Sequence, residues 1–243
     1  MRLLFLGDSI TQGVGATREA NNYVSRVGAT LGCEVLNYGV SGTRIGRQTQ
    51  LDGRSPLYAY DFRLRAEVME EEADLVFVFG GTNDFGHGRL HLGTPEGREG
   101  RTFCTELRLL IDLLIAKYGK EKLCFLLPLR RYSEEGVACK GESGKEVGAT
   151  LAEYVAAMRV ILAEYGLESI DLYENGFPKP LVNTGDEYTK DGLHPNDNGH
   201  AFLADVVCEY VRKRMARGPQ TAEAAASAFF SSLLQSHLLC ATM

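Results

Sequence analysis

"ADLVFVFGG", residues 73–81, contains an unbroken apolar run from Leu75 to Phe79 that closes on two glycines. A strand with one wet face alternates apolar and polar residues. A short continuous run rich in Val and Phe is instead a strand covered on both faces, as in a parallel sheet. Similar short runs stand on either side: "RLLFLG" (2–7), "CEVLNYG" (33–39), "KLCFLLPL" (122–129) and "LESIDLYE" (167–174). Helical patterns separate them. "NNYVSRVGATLG" (21–32) sets Tyr23, Val24, Val27 and Leu31 near one face, and "TFCTELRLLIDLLIAKYG" (102–119) and "GKEVGATLAEYVAAMRVILAEYG" (144–166) each stop at glycine. "NDNGHAFLADVVCEYVRKRMARG" (196–218) ends in basic residues, which suits the helix dipole. This β-α alternation predicts an α/β fold: one parallel sheet of about five strands, helices on both faces, in one domain over 1–218. Such sheets bind ligands just beyond the carboxyl ends of their strands.

The bulk properties narrow the function. A chain of 243 residues with 44% apolar and 24% charged residues can bury a full core. The formal net charge of −6 speaks against a nucleic-acid partner, which selects a basic surface. No run of eighteen apolar residues exists, so no membrane span is expected. "MRLLFL" is cut off by polar residues too early for a signal peptide, which gives a cytoplasmic reading. The six cysteines are scattered with no CxxC pair, as reduced and mostly buried thiols would be, and no metal site is expected. Two connections, 40–60 and 84–101, are long and rich in Gly and Arg, and read as functional or mobile loops. The tail 219–243 has a single acidic residue and reads as helical or disordered; as a helix it could pack on the body or on a second subunit in a homo-oligomer.

The residues that follow the strands carry the chemistry. Gly7-Asp8-Ser9 follows the first, Gly39-Val40-Ser41-Gly42 the second, Gly80-Gly81-Thr82-Asn83-Asp84 the third, and Asp191-Gly192-Leu193-His194-Pro195 a loop after the last. A serine hydroxyl needs a base to attack a carbonyl, and histidine is the usual one. The base needs an acidic group to fix its tautomer, and Asp191 lies three residues before His194. The oxyanion needs donors already in place, for which the backbone N–H groups of Ser9 and Gly42 and the Asn83 amide are candidates. Taken singly, each piece has a plainer reading: Ser9 as a helix N-cap, Asn83 and Asp84 as an Asx-turn.

The four blocks "GDSITQG", "NYGVSGTRIG", "GGTND" and "DGLHPNDNGH" together resemble the SGNH hydrolases, also called GDSL-type esterases and lipases. The blocks occur in the family's order between residues 7 and 200, with Ile10 where the family name has leucine. The resemblance implies a flavodoxin-like three-layer α/β/α sandwich and no required cofactor. It implies Ser9 as nucleophile, His194 as base with Asp191 behind it, and Gly42 and Asn83 as oxyanion donors. It implies a small-molecule ester as substrate.

Several residues stay outside these blocks' core roles. Asp8 organises the turn or meets substrate. Arg44, His87 and Arg130, together with His91, Arg89, Arg98, Arg101 and Arg131, are either solvated surface or substrate contacts. A metal on His87 and His91 would need a helix there, which Gly86, Gly88 and Gly93 oppose. Asp84 and His200 read as structural. The preferred function is a serine esterase for short-chain acyl esters, with carbohydrate O-deacetylation as the subtype and a lysophospholipase or thioesterase as alternatives. From a different class, a flavodoxin-like nucleotide-binding module without hydrolysis would use the glycines after strand one. It lacks both G-x-x-x-x-G-K-[ST] and G-x-G-x-x-G at that turn, and leaves the D-G-L-H block unexplained.

Overall fold

The computed structural model describes residues 1–47, 61–136, 148–174 and 176–217. Five strands, β1 (Arg2–Gly7), β2 (Glu34–Gly39), β3 (Leu75–Phe79), β4 (Leu123–Leu126) and β5 (Glu168–Ile170), form one parallel sheet in the order β2-β1-β3-β4-β5. This is the flavodoxin-like order, whose direction reverses between β1 and β3. Composition follows position. Every residue of β3 and β4 is buried, whereas the edge strands β2 and β5, which carry Glu34, Asn37 and Glu168, are partly exposed.

Alternate residues of the strands meet helices on opposite faces. Leu4, Leu6, Val76, Val78 and Phe125 join one core with residues of α3 (Phe62–Val68), α5 (Phe103–Tyr118) and α6 (Leu151–Tyr165). On the other face Phe5 stacks on its cross-strand partner Phe77, with ring centroids 4.9 Å apart. Tyr23, from α2 (Tyr23–Leu31), meets Phe5 edge-on at 5.7 Å and stacks on His200. Among the described residues the remaining α-helices are α1 (Ser9–Gln12), α4 (Thr82–His87) and α7 (Asp197–Arg217). Chain contacts define one unit, Met1–Ala204, which contains the whole sheet, and a second that starts at Asp205. The tail 219–243, the segments 48–60 and 137–147, and Cys139 and Cys240 lie outside the described residues. Among the described residues no helix is long and apolar enough to cross a membrane, and Cys104 and Cys124 are buried thiols.

Three elements differ from the sequence reading. The stretch from 84 is not loop throughout, because α4 continues to His87. Its six residues are too few to hold a helix by propensity; the burial of Phe85 fixes them. α3, a seven-residue helix, has no counterpart in the reading, and its N-cap is Asp61, which accepts from Leu64 N at 2.8 Å. α6 begins at Leu151, where Thr150 and Glu153 form a reciprocal capping box.

Buried polar residues hold the loops beyond the strands. The Arg65 guanidinium donates to Gly7 O at 2.9 Å, to Tyr38 O and to Thr43 Oγ1 at 2.8 Å, tying together the ends of β1 and β2 and the segment after β2. The Asp84 carboxylate accepts from Gly46 N at 2.7 Å and Ile45 N at 3.0 Å. Burial pushes the Asp84 carboxyl up to about 6, against the pull of those N–H groups and of Arg44. The folded state thus keeps this proton where an unfolded chain, with an ordinary value of about 3.9, has released it.

Asp84→Ala strands two buried N–H groups and should lower stability by roughly 1–3 kcal/mol. The wild-type group's own contribution falls as pH rises from about 4 to about 6. The gap in melting temperature between wild type and Asp84→Ala should therefore narrow across that window in thermal denaturation followed by circular dichroism.

Candidate active site

The chain leaves β1 at Gly7 and turns into α1 at Asp8. The Asp8 side chain caps the helix by accepting from Ile10 N at 2.9 Å, so the N-cap is Asp8 and Ser9 is the first helical residue. Asp8 is 1% exposed, which takes it away from substrate. Burial raises its carboxyl to about 7, opposed by the Ile10 N–H and by Arg65. Burial likewise lowers Arg65 to about 10.

Ser9 Oγ lies 3.0 Å from His194 Nε2, and His194 Nδ1 lies 2.8 Å from Asp191 Oδ2. The turn that carries the last two residues is self-organised. Asp191 Oδ1 accepts from His194 N at 2.8 Å and Leu193 N at 3.1 Å, while Oδ2 faces the ring. Gly192 makes this turn with φ +75°, and a Cβ there would meet Val182 O at 2.7 Å and Tyr132 Cβ at 2.8 Å. Burial alone would raise Asp191; the His194 N–H, the imidazole and the Leu193 N–H outweigh it and hold the carboxyl below its ordinary value. An ionised carboxylate only accepts, so Nδ1 carries a proton, and in the tautomer with that proton alone Nε2 faces Ser9 as an acceptor. That arrangement can take the hydroxyl proton as Oγ attacks.

The loop after β2 meets the start of α4. Gly42 sits at φ +76° with nothing within 4 Å of where a Cβ would stand, so the turn and not crowding requires glycine there. Asn83, 6% exposed on α4, donates Nδ2 to Thr43 O at 3.0 Å, which brings its amide to the residue after Gly42.

The outlying candidates have other partners. Arg44 is 9% exposed and its charge favours the ionised form of buried Asp84. Arg130 grips Glu134, with Nε to Oε1 at 2.9 Å, and lies over the Tyr173 ring at 4.6 Å. His87 ends α4 with Nε2 3.0 Å from Asn83 Oδ1, whereas His91 lies beyond the helix. His200 is fully buried beside Tyr23, and burial depresses it to about 4. Among the described residues no three His, Cys, Asp or Glu side chains gather as a metal would require. Arg65 escaped the sequence reading, because nothing local marks an arginine whose acceptors lie 22 to 58 residues away. Arg131, read with Arg130 as solvated surface or a substrate contact, bonds Thr82 O and Oγ1 at 3.2 Å, next to Asn83, and lies over the Phe85 ring.

The GDSL-like Lipase/Acylhydrolase family model matches residues 5–202. An acetylxylan esterase of Xylanibacter ruminicola is 26% identical over 240 residues, 87% of this chain and 43% of that protein, so the chain spans less than half of its curated relative. A crystal structure of a Lactobacillus plantarum protein, 27% identical, superposes with a TM-score of 0.70 over 87% of this chain and 96% of that one. A crystal structure of an acetyl xylan esterase, 22% identical, gives a TM-score of 0.58 over 87% and 100% of the two chains and speaks for the fold alone. The family match runs unbroken across all four blocks that follow the strands, and on that ground the chain belongs to the GDSL-like lipase/acylhydrolase family.

Proposed function

We propose that the protein is a serine esterase in which Ser9 is the nucleophile, His194 the base and Asp191 the residue that orients it. The observation that carries this reading is the unbroken relay of Ser9 Oγ, His194 and Asp191, with separations of 3.0 and 2.8 Å. Ser9 Oγ bonds to the ester carbonyl carbon and passes its proton to His194 Nε2. The carbonyl oxygen becomes an oxyanion, met by the N–H groups of Ser9 and Gly42 and by the second hydrogen of Asn83 Nδ2, the first being engaged by Thr43 O. Collapse expels the alcohol, which takes the proton from His194. Water then enters by the same base and releases the acid from Ser9.

For the substrate we favour a short acyl group, acetyl first, on a hydroxylated alcohol such as a carbohydrate. Two observations support this. The curated relative that is 26% identical is an acetylxylan esterase. An open groove of about 390 Å³, lined by Tyr132, Ser133, Glu135 and Lys179 together with Pro180 and Leu181, adjoins the Asp191 turn through a Tyr132 N to Gly192 O bond of 2.8 Å. Its exposed aromatic ring and polar rim suit a sugar better than a lipid tail.

Ser9→Ala should cut kcat on p-nitrophenyl acetate by about three orders of magnitude or more, and Asp191→Asn by about 10²–10⁴, with folded circular dichroism spectra retained. Equal activity of wild type and Ser9→Ala would overturn the assignment. Across p-nitrophenyl acetate, butyrate and octanoate, kcat/KM should fall with chain length, and acetylated xylan should release acetate. A clear preference for octanoate would replace the deacetylase reading with a lysophospholipase or thioesterase one.

A further inference from the structure

The Asn83 amide is gripped at both ends. Its nitrogen lies 3.0 Å from Thr43 O, and its oxygen lies 3.0 Å from His87 Nε2. The assignment of these two atoms follows from chemistry. A peptide carbonyl only accepts, so the amide atom that faces Thr43 O must be nitrogen. The other end is therefore oxygen, which also only accepts, and His87 Nε2 must carry a hydrogen. The pair is four residues apart on α4, the spacing at which helical side chains meet. Asn83 itself is buried, whereas His87 is exposed, so the ring closes over the amide oxygen from the solvent side.

We propose that His87 is a positioning residue for ester hydrolysis: by donating Nε2–H to Asn83 Oδ1, it fixes the amide so that Nδ2 presents its second hydrogen to the oxyanion. The proposal rests on the reading of Ser9 and Asn83 given above. Thr43 O alone restrains one end of the amide and leaves the side chain free to tilt about that bond. With His87 in place both ends are fixed, and a flipped amide would set nitrogen against an N–H. A hydrogen bond to the amide oxygen also polarises the group and strengthens its N–H donors. Donor placement of this kind acts on the transition state more than on the bound ester, so it is read in kcat.

The test measures kcat and KM on p-nitrophenyl acetate, with melting temperatures, for wild type, His87→Ala, His87→Gln, Asn83→Ala, the His87→Ala/Asn83→Ala double variant and Ser9→Ala. Asn83→Ala should lose about 10²–10³ in kcat. His87→Ala should lose roughly 2- to 13-fold in kcat, the loss expected for one hydrogen bond, with KM and melting temperature little changed. His87→Gln, whose amide N–H can reach the same oxygen, should recover most of that loss. In the Asn83→Ala background, removing His87 should cost nothing further. Three results would overturn the proposal: unchanged kcat in His87→Ala, a raised KM with kcat intact, or an equal loss with and without Asn83. If Ser9→Ala retained full activity, the esterase reading would fall and this proposal with it. An inactive Ser9→Ala beside an unimpaired His87→Ala would sink only the role of His87.

Discussion

In a parallel sheet every strand delivers its carboxyl end to the same edge, so the polar residues of successive β-to-α connections gather there whatever their separation in sequence. Here that constraint brings the segments after β1, β2 and β3 together, and the turn holding Asp191 and His194 meets Ser9 across 185 residues. The sheet supplies only proximity. Fixing side chains to within tenths of an ångström falls to buried polar contacts beneath the edge: Arg65 on three oxygens, Asp84 on two backbone N–H groups, and Asn83 on Thr43. An edge built this way is costly to bury and hard to deform. The upward shifts at Asp8 and Asp84 and the downward shift at Arg65 are the mark of that cost.

How much of this can be read in the chain depends on the range of the interaction. The central strands announce themselves because burial on both faces demands unbroken apolar runs, as at Leu75–Phe79. The Asp191–His194 pair is equally legible, since one short turn with glycine at 192 decides it. Ser9 was legible as a strand-to-helix junction, though the cap turned out to be its neighbour Asp8. What stayed hidden is tertiary. α3 looks too short and too charged to be a helix until Arg65 finds carbonyls on two strands. α4 looks like loop, with a glycine inside it, until Phe85 is buried. For Arg44, His87 and Arg130 the sequence offers charge and position but no partner, and the partners are Asp84, Asn83 and Glu134.

The division between scaffold and site is correspondingly sharp. The scaffold residues Arg65 and Asp84 are buried, whereas the Asp191 turn stands partly in solvent and is held by its own backbone N–H groups. A turn of that kind keeps the imidazole oriented without enclosing it. The neighbouring groove around Tyr132 is open as well, as the proposed removal of small acyl groups from hydroxylated molecules requires.

The central claim is that Ser9 Oγ is a nucleophile activated by His194. The most direct measurement is mass spectrometry of the protein after treatment with a fluorophosphonate, which is captured by an activated serine. The account predicts one adduct per chain on the peptide containing Ser9, absent in Ser9→Ala and formed far more slowly in His194→Ala. An adduct on another residue, or one formed undiminished in Ser9→Ala, would contradict it.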